Sequence, residues 1–373
     1  VSAGRGLGIG VDGRELQGRP TGVGRYLRSL LRSWPEADDR LVVYVSGAAP
    51  DDPVLADPRI VVRPVGDQRT RGLVFLTRAL PRAVEADALD VFFAPAYVCP
   101  PRLRVPRVTT VHDLSFFSLP SDFTAPDAAR RRWQVGLSVT ASRLLIAPSE
   151  FTAREILGRF PVAAGRVARI PEGPDLDLPP PPAREAARGR LGVRGPLLLS
   201  VGSILNRRCL PTLLRAVARL KPEWQGLRLD VVGENRTHPR LDLPALAKRL
   251  GLEAVVCLPG FVSDWELAER YAAADVAVFL SEYEGFGLPA LEAMARGVPA
   301  VVSDRPALSE IYGGAALVVD PHDEAAVAGA LDRLLRDRAL AEDQRARGRA
   351  LAAGYSWAEA ARATRAALEE AVA

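Results

Sequence analysis

The sequence predicts an α/β protein built from two doubly wound, Rossmann-like domains facing a central cleft. Three observations predict it. Short apolar, β-branched runs alternate with helical stretches, the pattern of parallel sheets layered with helices. That pattern stops at a proline-dense stretch and then starts again. The chain has 373 residues, and at roughly 150 residues per domain that is room for about two.

In the first half, strands are expected at 7–11, 41–45, 60–63, 91–94, 107–111 and 144–147. Each run is continuous rather than alternating, as strands covered on both faces require. Helices are expected at 24–33, 72–80, 126–142 and 150–160. The second of these is stopped at Leu80 because Pro81 would break or kink it. Residues 171–182 are rich in proline and end in Pro179, Pro180, Pro181 and Pro182. Four consecutive prolines cannot continue a helix or occupy a central strand. A linker is therefore drawn over 173–190, between an N-terminal domain at 1–172 and a second domain at 191–355.

After the linker, strands are expected at 197–201, 228–232, 254–258, 276–280, 300–302 and 316–319. Helices are expected at 210–220, 244–250, 264–273, 289–296 and 323–335, with a further amphipathic helix at 357–371. In doubly wound folds ligands bind beyond the carboxyl ends of the strands. Chemistry is sought there.

Composition removes several classes. Apolar residues make up 48% and charged residues 25%, the balance of an ordinary globular protein. The net charge of +4 is carried almost wholly by arginine, with Lys221 and Lys248 the only lysines. Arg130, Arg131 and Arg132 form the densest basic run, without the interleaved aromatics of a nucleic-acid surface. Cys99, Cys209 and Cys257 have neither a metal-ligand spacing nor a disulfide framework, which suits a reducing cytosol. No stretch reaches the 18 apolar residues of a spanning helix. Residues 1–11 lack the charged start and apolar run of a signal peptide. A cytoplasmic protein is expected, with peripheral contact to a membrane face left open.

The strongest chemical signal is Ser281-Glu282-Tyr283-Glu284-Gly285-Phe286-Gly287-Leu288-Pro289, running into a helix that carries Glu292. Pro289 suits a first helical turn. Gly285 and Gly287 let a ligand approach the backbone, and the helix start offers N–H groups to an anion. Glu284 and Glu292 could both accept hydrogen bonds from the hydroxyls of one bound molecule. By itself the segment also fits a capped helix with surface glutamates. Arg207 and Arg208 follow a strand end, where guanidinium groups suit a diphosphate; a solvated surface pair is the plain alternative. Neighbours after a strand tend to point differently, so one of the two is expected at the ligand, and Arg208 is taken. Thr21-Gly22-Val23-Gly24 is a glycine turn between the first strand and first helix, without the Gly-x-Gly-x-x-Gly dinucleotide fingerprint. It too fits a tight turn with no ligand. His112 follows the fifth strand, while His238 and His322 lack any such context and are taken as surface or cap residues.

Taken in order, these motifs resemble the retaining glycosyltransferases of family GT4, which have the GT-B fold. The resemblance covers nearly the whole chain. It is carried by Glu284-Gly285-Phe286-Gly287-Leu288-Pro289 with Glu292, by Val111-His112-Asp113-Leu114-Ser115, and by Pro148-Ser149-Glu150-Phe151. Gly202-Ser203-Ile204-Leu205-Asn206-Arg207-Arg208, Ser309-Glu310-Ile311 and Tyr355-Ser356-Trp357 complete it. The resemblance implies that Glu284 contacts the donor sugar, Glu292 the nucleotide ribose, and His112 the sugar. It implies that the amides of Phe286, Gly287 and Leu288 hold sugar and diphosphate. It also places Gly22, Val23, Gly24, Gly202, Ser203, Arg207 and Arg208 toward the diphosphate, and returns a C-terminal helix at 356–373 to the first domain. The family has Arg-Lys where this chain has Arg207-Arg208, and often an arginine where it has Ser203.

The activity this implies is transfer of a sugar from a nucleoside diphosphate to a hydroxyl of a sugar, lipid-linked or small-molecule acceptor. His112, Glu284 and Arg208 are the expected catalytic residues. No cofactor beyond the nucleotide-sugar donor and no metal are expected. Asp175-Leu176-Asp177 lies in the linker and not at a strand end. Loops near Gly233-Glu234-Asn235-Arg236 and over 116–131 are expected to select base and acceptor. A sugar-nucleotide epimerase or hydrolase on the same fold, or a non-enzymatic sugar-nucleotide binder, remain the alternatives. A pyridoxal-phosphate phosphorylase would need a Schiff-base lysine, for which Lys221 and Lys248 are badly placed.

Overall fold

The computed structural model describes residues 6–18, 21–66, 72–174, 179–180 and 182–373. Two compact units emerge. One is Val1–Phe117 with Pro126–Glu172 and Ser356–Ala373; the other is Ser118–Ala125 with Gly173–Tyr355. Asp175-Leu176-Asp177 and Pro181 lie outside the described residues.

The first unit holds a seven-stranded sheet of β1 (Gly8–Asp12), β2 (Arg40–Ser46), β3 (Ile60–Val65), β4 (Val91–Ala94), β5 (Arg107–Thr110), β6 (Leu144–Ala147) and β7 (Val167–Arg169). The order is β3-β2-β1-β4-β5-β6-β7, and every pairing is parallel. Parallel strands need crossovers, which helices supply on both faces. The continuous apolar runs follow from that cover: Val42, Val43, Tyr44 and Val45 of β2 are all inaccessible to solvent. The Trp357–Val372 helix packs on the Gly22–Arg32 helix and on β4, β5 and β6. Asp39 pins it by accepting from Arg365 Nε at 2.8 Å and Nη2 at 3.1 Å.

The second unit repeats the plan with β8 (Leu197–Val201), β9 (Arg228–Val232), β10 (Val256–Gly260), β11 (Val276–Phe279), β12 (Ala300–Ser303) and β13 (Leu317–Val319). Its order is β10-β9-β8-β11-β12-β13, again parallel throughout. Leu198, Val276, Val278 and Val301 face one apolar layer, and Leu197, Leu199, Ala277 and Val302 the other. The strand order reverses at β1/β4 in one sheet and at β8/β11 in the other. Such reversal points open a crevice at the carboxyl ends of the strands.

Several expectations need correction. The helix expected to stop at Leu80 runs through Pro81, as Gly72–Val74, a π-helical turn Phe75–Ala79 and Leu80–Ala86. The Leu80 N–H reaches back five residues to the Phe75 carbonyl, widening the helix just before the proline ring. The linker drawn over 173–190 contains most of the Arg184–Leu191 helix. Ala187 is fully buried in the second unit, and Arg184 and Arg188 both pair with Asp275. That helix is part of the second unit. Residues 118–125, expected among the first domain's loops, also group with the second unit. The sequence pattern missed β7, the Pro306–Tyr312 helix and the Arg338–Ala353 helix. The last of these buries only Ala341, Gln344, Gly348 and Ala352, residues too small or polar to write an apolar stripe.

Candidate functional site

Each unit gathers its own candidate residues at the carboxyl ends of its strands. In the second unit, β8 ends at Val201 and leads through Gly202 to a 3-10 turn at Asn206–Arg208. Neighbouring β11 ends at Phe279 and leads to Ser281 and Glu284. The Glu282 N–H donates to the Arg207 carbonyl at 2.8 Å, tying the two loops together. Glu284 is 7% exposed, and its Oε1 accepts from Ser281 Oγ at 2.8 Å. Arg208 Nε lies 3.2 Å and Arg207 Nε 3.6 Å from that same oxygen. The Arg208 guanidinium also stands 4.1 Å over the Phe279 ring, a cation–π seat that fixes its plane.

The sequence favours Arg208 as the one facing the ligand, with Arg207 also placed at the donor. Both arginines turn toward Glu284 because residues 206–208 form a tight turn and not an extended strand end. Two guanidiniums thus share one Glu284 oxygen at the switch point. Gly202 has φ +123, a conformation other residues rarely adopt, and a Cβ there would stand 3.4 Å from Arg208 Nη2, in ordinary contact. Ser203 follows it, half-buried.

Gly287 precedes the Leu288–Ala295 helix with φ +93, and no side chain caps that helix. A Cβ at Gly287 would come 2.7 Å from Leu308 Cδ2, so glycine is needed for packing as well as for conformation. Phe286 is buried and makes edge contacts with Tyr312 and Tyr355. Only its backbone is available to a ligand, whereas Leu288 remains half-buried. Gly285 sits between Glu284 and Phe286 in this loop. Glu292 is 3% exposed and accepts from the Tyr271 hydroxyl at 3.0 Å. The two glutamates thus have separate partners.

In the first unit, His112 follows β5 beside the β1/β4 reversal. Its Nδ1 lies 3.2 Å from Glu172 Oε1 and its Nε2 2.8 Å from the Pro95 carbonyl. Both neighbours are acceptors, which favours a ring protonated on both nitrogens. Burial opposes that charge, but the hydrogen bond and charge of Glu172 and the Pro95 carbonyl outweigh it. The imidazole is held above its ordinary value. The Tyr26 ring meets His112 edge-on at 4.6 Å, and the Tyr26 hydroxyl is 3.0 Å from Thr110 Oγ1.

The glycine turn expected between the first strand and first helix is the first turn of the helix itself. Gly22–Arg32 is helical, and Thr21 caps it by accepting from the Gly24 N–H at 2.9 Å. A Cβ at Gly24 would lie 2.6 Å from the Glu15 carbonyl, while one at Gly22 would meet nothing within 4 Å. Gly24 is therefore explained by packing. Gly22 leaves the helix start open, with Val23 beside it on the first turn.

Residues 184–351 match the family described as Glycosyl transferases group 1, and residues 20–178 match Glycosyltransferase Family 4. The chain is 32% identical over 276 residues to the O-antigen chain mannosyltransferase B of Escherichia coli, covering 72% of this chain and 71% of that protein. The chain belongs to the GT4-type glycosyltransferases.

This glycosyltransferase is also 34% identical over 286 residues to a D-inositol 3-phosphate glycosyltransferase of Kineococcus radiotolerans, covering 70% of this chain and 66% of that one. For the corresponding enzyme of Nocardia farcinica the identity is 33% and the shares are 70% and 60%. The chain thus spans less than two thirds of the inositol phosphate enzymes it matches. Solved structures share the GT-B fold. Sucrose-phosphate synthase from Thermosynechococcus elongatus superposes with a TM-score of 0.80 at 22% identity, covering 98% of both chains. Anabaena Alr3699/HepE in complex with UDP-glucose gives 0.78 at 20% identity, covering 97% and 99%. No helix among the described residues is long and apolar enough to cross a membrane.

Sequence reasoning missed several partners of the site in this glycosyltransferase. Ser281 opens the glutamate motif but was given no role there, and Phe279 belongs to no motif; they hold Glu284 and Arg208. Glu172, beside His112, lay at the edge of the drawn linker. Asp122, in the segment grouped with the second unit, has its carboxyl raised by burial and by the charge of Glu282.

Proposed function

We propose that this protein is a retaining glycosyltransferase that moves a sugar from a nucleoside diphosphate to an acceptor hydroxyl without a metal. The observation that supports this most is the grouping of Arg207, Arg208 and Glu284 at the β8/β11 switch point. Cleaving the bond from the anomeric carbon to the phosphate oxygen builds negative charge on the leaving diphosphate. Arg207 and Arg208 meet that charge, and preorganised donors are worth most where charge develops. The uncapped start of the Leu288–Ala295 helix adds N–H groups at Phe286, Gly287 and Leu288.

Glu284 accepts from sugar hydroxyls and orients the anomeric carbon, and Glu292 holds the ribose. His112 binds the sugar, with Glu172 keeping its ring charged. Gly22, Val23, Gly202 and Ser203 line the donor backbone-first. The acceptor oxygen attacks from the side the diphosphate leaves. Its proton passes to the departing phosphate oxygen, so one C–O bond breaks, one forms, and the anomeric configuration is kept. Relatives act on mannosyl and inositol phosphate substrates by their names, which supports a sugar or polyol acceptor.

The test has two arms. A thermal-shift panel with UDP, GDP, TDP and ADP should raise the midpoint with one nucleotide by mass action. NMR of the first product formed from that nucleotide's sugars should then show the donor's anomeric configuration. An inverted anomer overturns the mechanism, and release of free sugar as the sole product points to a hydrolase.

A further inference from the structure

Three side chains outside the residues assigned to the donor converge on the second unit. Cys209 follows the 206–208 turn, Glu282 follows β11, and His322 follows β13. A sulfur of Cys209, a carboxylate oxygen of Glu282 and a ring nitrogen of His322 all lie within 4.8 Å of one another. His322 Nε2 is 3.0 Å from Glu282 Oε1. We propose that Cys209, Glu282 and His322 form a zinc site with three protein ligands and water as the fourth.

The donor set points to this metal. Thiolate, imidazole and carboxylate together suit a borderline-soft divalent ion and do not suit magnesium or calcium, which take oxygen. The spacing fits. Zinc bonds of about 2.0–2.3 Å set tetrahedral edges of roughly 3.3 Å between N and O and roughly 3.6 Å from either to sulfur. The ligand atoms need shift by about an ångström at most to reach those edges.

The positions are also held. The Glu282 N–H donates to the Arg207 carbonyl at 2.8 Å, and the Cys209 N–H donates to the Asn206 carbonyl at 3.3 Å. The His322 N–H donates to Asp320 Oδ1 at 3.0 Å. Cys209 has φ +47, a left-handed conformation that glycine would take at less cost. A cysteine there gives up backbone ease and places a thiol among the other two ligands. The metal would tie the loop bearing Arg207 and Arg208 to the loop bearing Glu284. The site does not depend on the proposed transfer.

The test is metal binding by the whole protein, read without any substrate. Cobalt(II) should give sulfur-to-metal charge-transfer absorption and the strong visible bands of a tetrahedral site, saturating at one equivalent and displaced by zinc. Cys209→Gly, which suits the backbone conformation, should abolish the charge-transfer band. Cys209→Gly and His322→Ala should each weaken zinc binding by at least about tenfold, because loss of even an outer-shell partner costs 10–100-fold. Cys257→Ser and His238→Ala should leave it unchanged. Absence of the sulfur band, or equal zinc affinity in wild type, Cys209→Gly and His322→Ala, overturns the proposal.

Discussion

Arg208 and Glu284 come within 3.2 Å across the β8/β11 switch point, Nε to Oε1, with Ser281 donating to the same oxygen. The group proposed to grip the sugar therefore orients the group proposed to take up leaving-group charge. A carboxylate holding a guanidinium fixes it before substrate arrives, which is how an electrostatic donor avoids reorganisation during reaction.

Arg208→Ala should lower kcat by about 10²–10³, the usual cost of one preorganised charge donor. Arg208→Lys should recover part of that, since lysine supplies charge without the planar fork. Steady-state kinetics check this. Near-normal turnover in both Arg208→Ala and Arg207→Ala would place the phosphate elsewhere.

Glu284→Gln and Glu292→Gln should separate. The first should act mainly on kcat, because the sugar's geometry changes during transfer. The second should raise the KM for donor, because the ribose does not change. Glutamine is the right probe at 292, since it keeps an acceptor for the Tyr271 hydroxyl and preserves the buried volume. Equal effects on KM alone in both variants would refute the assignment.

The raised His112 value predicts a pH signature. Its folded value lies above the free imidazole's ~6.5, so the charged ring's stabilisation is complete below that pH. It fades as pH rises through the folded value. Denaturant melts should show His112→Gln costing more stability at about pH 6 than at about pH 9. Glu172→Gln should flatten that difference. A pH-independent penalty would show that the ring is neutral.

Asp39 behaves in the opposite sense. Burial raises its carboxyl, but Arg365, the Leu7 N–H and Trp34 outweigh this and hold it low. The stabilisation is present above the ordinary aspartate value of about 3.9 and is lost as pH falls through the lower folded value. Arg365→Ala should cost about 3 kcal/mol near neutrality, as for a buried pair broken from one side, and less in acid. An equal cost at both pH values would remove the pair from the account.

Turnover should need neither magnesium nor manganese. Arg207, Arg208 and a helix start are proposed to meet the leaving charge that a metal would otherwise meet. Complete loss of activity in EDTA, restored by magnesium or manganese, would contradict this.

Legibility in the sequence followed physical cause. The central strands were readable because burial on both faces writes unbroken apolar runs, as at 91–94 and 197–201. The Arg338–Ala353 helix was not, because alanine, glycine and glutamine cover its contacts. Pro81 misled because a π-turn can absorb a proline, and no residue pattern announces one. At the site, Glu284, Glu292 and the two arginines stood out through motif order. The triad of Cys209, Glu282 and His322 did not, since its members are 73 and 40 positions apart and only the sheet order brings their loops together.

The Trp357–Val372 helix lies on β4, β5 and β6 of the first unit, yet the second unit's residues 173–355 come before it. Translation therefore makes the first unit's sheet long before its cover. At about 5–20 residues per second, the wait is roughly 10–40 s. During it, apolar surface that the helix later buries is exposed to the cell. Newly made chains should be most in need of chaperones in that interval, and nonsense mutations that end the chain just before residue 356 should yield an intact second unit beside an uncovered, aggregation-prone first one.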